Sequence, residues 1–356
     1  MLPSLSGCLK TTALVFAAGT LISQVQAANV TVSNAADIKA KIEAAASGDV
    51  ITITSGTYNM KGKEPVKLNA SNVTIVASGV TLDFQATATT DTHGIEINGD
   101  SNFVRNITII KSPDNGIFIS GDGNTVERCT FKNCYDTGLQ ISAGSGGTAP
   151  KNNKITNCDS YNNYDSKTDG GNADGFAAKI GIGSGNSFSG CRAIGNSDDA
   201  WDFFVKPGNA QAPVTLSYCI AATSGNHSGN GNGFKVGSAD STSAHKLDHC
   251  IAYKCNSKGF DQNSNTGKVT VDHCTASANG GNNFAFTQTS NGGTFTKNVS
   301  AGKWSVNGTQ SGNLTTVSTS VFTSSDINVV TRDGNGNLKF NNFMKYANSG
   351  GAGANP

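Results

Sequence analysis

A four-residue phrase, Gly–large apolar–any–apolar, returns along this chain as GIEI at 94, GIFI at 116, GLQI at 138 and GFAA at 175. It continues, with variations, as AWDF at 200, GFKV at 233, GFDQ at 259 and NFAF at 283. The intervals are 22, 22, 37, 25, 33, 26 and 24 residues. Between these lies a second phrase, in VERCTF, ITNCDS, FSGCRA, LSYCIA, LDHCIA and VDHCTA, with one cysteine each at 129, 158, 191, 219, 250 and 274. Two short strands per repeat, with no helical period between them, predict an all-β chain wound as a single-stranded parallel β-helix. Each repeat is one coil, and only stacking buries its apolar face. The excess lengths at 143–172 and 206–232 read as loops projecting from the coils. Composition agrees: 43 Gly and only 7 Pro among 356 residues suit a turn-rich β structure, and recurrent apolar triplets argue against disorder.

The ends carry different signals. Lys10, an apolar run over 13–22 and the small-residue pattern Val25-Gln26-Ala27 read as a secretory signal peptide over 1–27. The expectation is therefore a secreted, extracellular protein whose β-helix occupies 28–345. SNAADIKAKIEAAASGD predicts an N-terminal capping helix, with Ser33 or Asn34 as N-cap and Ile38, Ile42 and Ala45 on one face. It would cover the open end of the coil stack. The Gly-rich tail 346–356 is expected to be disordered. Eight cysteines remain after residue 27. The column of six reads as buried thiols ahead of disulfides, because each member of a stack could pair with only one neighbour. Five residues after five of them come Cys134, Asn163, Asn196, Cys255 and Asn279, a turn column in which Asn side chains would bond from coil to coil.

Stacking the eight phrases turns sequence positions into columns. The residue after each Gly position (Ile95, Ile117, Leu139, Phe176, Trp201, Phe234, Phe260, Phe284) is always large and apolar and should point inward, which makes Trp201 core. Alternation sends the next residue outward. That column reads Glu96, Phe118, Gln140, Ala177, Asp202, Lys235, Asp261, Ala285. The position before the Gly column holds Asp174 and, one coil on, Asp199, with Asp198 beside it. The register therefore gathers Asp174, Asp198, Asp199 and Asp202 at one place, with Lys235 one coil further.

Acidic turns are common, and any one of these aspartates alone would mean little. Four converging carboxylates repel one another unless a cation sits among them. Oxygen ligands without a nearby His or Cys favour Ca²⁺ over zinc or copper. Lys235 could be an ion-pair partner only. Beside a bound Ca²⁺, however, its amine would be shifted toward the neutral form that a general base needs. Lys179, Lys206 and Lys258 fall near the same sheet and could meet anionic substrate groups, although solvated surface lysines are the simpler reading. With a net charge of +1, nothing calls for nucleic acid, and no second apolar run is long enough to span a membrane.

NADGFAAKIGIGSGNSFSGCRAIGNSDDAWDFF, followed by GNGNGFKVG and GFDQNSN, resembles the family 9 polysaccharide lyases, which are pectate lyases. The resemblance spans roughly 30–345 and is densest from Asn172 to Asn265. It implies a right-handed β-helix, Ca²⁺ as cofactor with Asp174, Asp198, Asp199 and Asp202 as its ligands, and Lys235 as the base. The partner implied is a polygalacturonate chain, cleaved by β-elimination, and the expected state is a monomer. One departure is Ala200, where the family pattern leads one to expect Gly. Three rival readings stand beside this one. They are a lyase of another polyuronate such as rhamnogalacturonan, a polygalacturonase-type hydrolase working with two carboxylates, and a non-catalytic β-helix binding module. The GHG and RIK phrases associated with the hydrolases are absent.

Overall fold

A computed structural model describes residues 27–144, 147–209, 211–288 and 292–355; the expected signal peptide lies outside them except for Ala27. The chain winds as a parallel β-helix in which every coil-to-coil pairing is parallel. Among the described residues, only the short ribbon Thr331–Arg332 with Leu338–Lys339 is antiparallel.

All eight phrases stack in the expected register, from Ile95 against Ile117 to Phe260 against Phe284. Val66–Leu68 extends the same sheet at one end and Trp304–Val306 at the other, giving ten strands. The inward column is sealed from solvent. Its rings form a continuous pile: Phe176 on Trp201 at 5.1 Å, Trp201 on Phe234 at 4.8 Å, Phe234 on Phe260 at 4.9 Å and Phe260 on Phe284 at 4.7 Å between centroids. Parallel stacking brings identical positions about 4.8 Å apart, so like rings meet face to face by necessity of the register.

Each coil proves to have three strands rather than the two expected. The cysteine phrase is bent in its middle, as in Thr125–Glu127 and Thr130–Lys132, or Ser187–Ser189 and Arg192–Ile194. The corner residue before the cysteine takes a left-handed conformation, with φ of 53° at Arg128, 56° at Asn157, 53° at Tyr218, 51° at His249 and 48° at His273. A one-residue corner leaves no sequence gap, so the phrase reads as one strand.

Among the described residues eight cysteines are free and buried. The thiols of Cys158, Cys191 and Cys274 donate to the carbonyl two residues earlier at 3.3–3.5 Å. The turn column behaves as expected: the amides of Cys134, Asn163 and Cys255 donate to the side-chain oxygens of Asn163, Asn196 and Asn279.

Helix Ala35–Glu43 stands at the N-terminal end, capped by Asn34, whose side chain accepts from the Asp37 amide at 2.9 Å. Ile38 and Ile42 are buried in the core, and Ala45 packs against it. At the other end the structure corrects the expectation of disorder. Residues 346–355 fold back with Phe343 and Met344, and Ala352 and Ala354 pack against Ile220, Ile251 and Val299 on the outer face of the coils. The Gly353 amide donates to the Lys297 carbonyl at 2.7 Å and the Ala354 amide to Thr275 Oγ1 at 2.9 Å. A Gly/Ala segment is ordered here by a groove that distant coils build.

Candidate active site

Three successive strands, Phe176–Ala178, Trp201–Asp202 and Phe234–Lys235, carry the site. Asp202 lies directly opposite Ala177 on one side and Lys235 on the other. One oxygen each from Asp174, Asp199 and Asp202 falls within 4.8 Å of the others. All three residues are at most 4% exposed.

Asp198, expected in the same set, stands outside this triangle. Its two oxygens accept the backbone amides of Asn172 and Asn230. It thereby ties two of the projecting loops to the rim of the site. Adjacent turn residues point apart, so Asp199 enters the cluster while Asp198 turns to the loops.

Lys235 Nζ lies 3.1 Å from Asp199 Oδ2 and 3.5 Å from Asp202 Oδ1, and 3.4 Å from Asn230 Oδ1. Neither carboxylate oxygen has a well-aligned hydrogen bond, so both are buried acceptors held only by charge. Asp199 Oδ1 is fully committed to the backbone and side-chain nitrogens of Asn232, at 2.7 and 2.9 Å. Asp174 Oδ1 accepts the Asp199 amide at 3.1 Å.

Burial dominates the titration of these acids. It pushes Asp174 well above the usual carboxylate range, with Lys179 opposing and Asp202, Asp198 and Asp199 adding repulsion. Asp199 is pushed up to about 7, again by burial first, with Lys235 pulling the other way. Burial alone would lower the Lys235 ammonium; the charges of Asp202, Asp199, Asp174 and Asp198 outweigh it and hold the amine above its ordinary range. The donor set fits a hard divalent cation: closely spaced carboxylate oxygens, two of them without hydrogen bonds, and no sulfur or imidazole among them.

A family model described as "Pel9A-like, right handed beta helix region" matches residues 22–307, most of the chain and the whole of this site. The chain belongs to the Pel9A-like right-handed β-helix family. Pectate lyase L of Dickeya chrysanthemi is 42% identical over 135 residues, 36% of this chain and 31% of that protein. Pectate lyase L of Paenibacillus polymyxa is 31% identical over 270 residues, 70% of this chain and 60% of that protein. The chain therefore spans about a third of the first of these relatives and three fifths of the second. The crystal structure of pectate lyase Pel9A superposes with a TM-score of 0.78 at 29% identity, covering 90% of both chains.

In this Pel9A-like chain the lysine readings need one correction. Lys179 is not a solvated surface residue. Its Nζ pairs with Asp174 Oδ2 at 2.6 Å and Asp202 Oδ2 at 3.4 Å, and its side chain is 10% exposed. Burial would lower it, but Asp174, Asp202 and Asp136 raise it well above the ordinary range. The same alternation that turned Asp202 outward places Lys179 outward two residues after Ala177. Ala177 is small enough to let the longer side chain fold back. Lys258 pairs with Asp261 at 3.1 Å and is 40% exposed, while Lys206 is exposed. Ala200 is buried, and the residue after it stays in register with both neighbouring coils. A methyl at the equivalent Gly138 would come within 2.2 Å of Ser160 Oγ, so glycine is needed there and not here.

Proposed function

We propose that this protein is a secreted calcium-dependent pectate lyase that cleaves polygalacturonate by β-elimination. The observation that carries the reading is Lys235, held at 3.1 Å and 3.5 Å from two buried carboxylate oxygens, Asp199 Oδ2 and Asp202 Oδ1, that lack a hydrogen-bond donor. A general base beside a charge-dense oxygen cluster suits abstraction of a proton α to a carboxylate.

In this reading Asp174, Asp199 and Asp202 would hold Ca²⁺, and Asp198 adds its charge from the adjoining turn. When bound, the ion supplies positive charge that binds the uronate carboxylate and stabilises the negative charge developing on it. Lys235 takes the proton from C5, its amine being steered by Asn230 Oδ1 and resting 5.9 Å from the centre of the Phe204 ring. The electrons left at C5 form the C4–C5 double bond as the glycosidic oxygen on C4 departs. The products are an unsaturated uronate end and a new reducing end, and no water is consumed. Asn232 and the Asp199 amide keep Asp199 and Asp174 in place throughout. Neutralising the acids also removes the charges that keep Lys235 protonated, which readies it as a base.

The test is incubation of the protein with polygalacturonate, and in parallel with rhamnogalacturonan, with and without a calcium chelator. Expected is ultraviolet absorbance of unsaturated product on polygalacturonate, abolished by the chelator. Reducing ends without that absorbance mean hydrolysis, and product from rhamnogalacturonan alone moves the substrate assignment. Lys235→Ala should lose at least about 100-fold in kcat, the low end of what a positioned base contributes, while calcium binding by calorimetry persists. Full activity in that variant removes Lys235 from the role.

A further inference from the structure

On the other sheet, the corner between strands Lys246–Asp248 and Ile251–Tyr253 carries a second group of ligand atoms. Asp248, His249 and His273 each place one within 4.8 Å of the others. His249 Nδ1 is 2.8 Å from Asp248 Oδ1, and His273 Nδ1 is 3.0 Å from Asp272 Oδ1. Register makes this a repeated unit: Asp248 lies directly opposite Asp272, and the two imidazoles stack at 4.7 Å and 6° on adjacent coils.

We propose that Asp248, His249 and His273, with Asp272 as the outer partner of His273, form a binding site for a divalent transition-metal ion of the zinc class, clipping two coils together. Two aspartates directly opposite one another on paired strands repel. Among the described residues, neither has a lysine or arginine ion-pair partner. Asp272 Oδ1 and His273 Nδ1 also lack a well-aligned hydrogen bond although they lie side by side. Two imidazoles and one carboxylate are a ligand set that zinc accepts, with solvent in the fourth position and Asp272 as the outer partner of His273, and imidazole nitrogen selects against calcium. The side chains of Asp248, His249, Asp272 and His273 are 28%, 22%, 32% and 21% exposed, so an ion has access from solvent. Because the rings lie parallel, one must turn about Cβ–Cγ for both lone pairs to converge. His249 is stacked between Tyr218, at 4.8 Å, and His273, whereas His273 ends this pile of rings among the described residues and is stacked on one face only.

The experiment titrates Zn²⁺ into untagged, chelator-stripped protein by calorimetry and follows thermal unfolding in parallel. Expected are one saturable zinc per chain at this site and a raised Tm. His249→Asn and His273→Asn should each weaken that binding by about tenfold or more, while the calcium response of both variants stays that of the parent. Zinc binding unchanged in both variants, or lost in Asp199→Asn instead, places the ion elsewhere and overturns the proposal. So does the absence of saturable binding. Both results are independent of whether polygalacturonate is cleaved.

Discussion

His245 occupies a column that four earlier coils fill with asparagine: Asn102, Asn124, Asn153 and Asn186, whose side-chain oxygens each accept an amide from the coil before. His245 substitutes for them through Nδ1, which accepts the Val214 amide at 3.0 Å. That bond requires the neutral imidazole, and complete burial lowers the pKa to about 3. The folded value lies below the unfolded one, so the stabilisation is complete above the ordinary histidine pKa and is lost as pH falls through the folded value. His245→Asn keeps an acceptor without a basic nitrogen. Between pH 7 and pH 4 the urea midpoint of the parent should fall further than that of this variant; equal falls would show that His245 does not set the acid limb. The substitution was hard to see in the sequence, because a lone histidine gives no hint that it continues an asparagine ladder. Lys179 was hidden for a related reason: a lysine reads as solvated until the acids around it are known.

At the scale of elements, the C-terminal segment and the cysteine phrase teach opposite lessons. The cysteine phrase marks one inward thiol per coil in the sequence, although the left-handed corner inside it carries no sequence signal. The tail carried no pattern, because its order comes from Ile220, Ile251 and Val299 on distant coils. Phe343, fully buried there and packed edge-on to Tyr253 at 5.5 Å, is the anchor. Phe343→Ala should cost about 3–5 kcal/mol, read as a lowered denaturant midpoint with an unchanged β-sheet circular dichroism spectrum. A cost under about 1 kcal/mol would mean that the segment is held by its hydrogen bonds alone.

Across the whole molecule, the candidate site joins three successive coils, so anything that binds it stabilises a length of the solenoid rather than one turn. Asp199, together with Asp174, contributes to the pH dependence. Its folded pKa, about 7, lies above the usual carboxylate value, chiefly through burial. Such a group favours folding while protonated, and that contribution is lost as pH rises through the acidic range toward 7. A bound cation takes the proton's place. The rise in Tm between chelator and calcium should therefore be larger at pH 8 than at pH 5, as measured by scanning calorimetry. An equal rise at both pH values would place the calcium away from Asp199.

Sequence by itself determined the coil architecture, the inward aromatic column and the meeting of Asp174, Asp199, Asp202 and Lys235. In a parallel stack a repeated phrase is a coordinate system, and equal positions must become neighbours. What the tertiary structure alone decided was direction and surroundings. It turned Asp198 to the loop amides, folded Lys179 back over Ala177 onto two carboxylates, bent each cysteine phrase at one left-handed residue, and laid the tail in a groove. These depend on side-chain rotamers and on contacts between residues far apart in the chain, for which a repeat has no column.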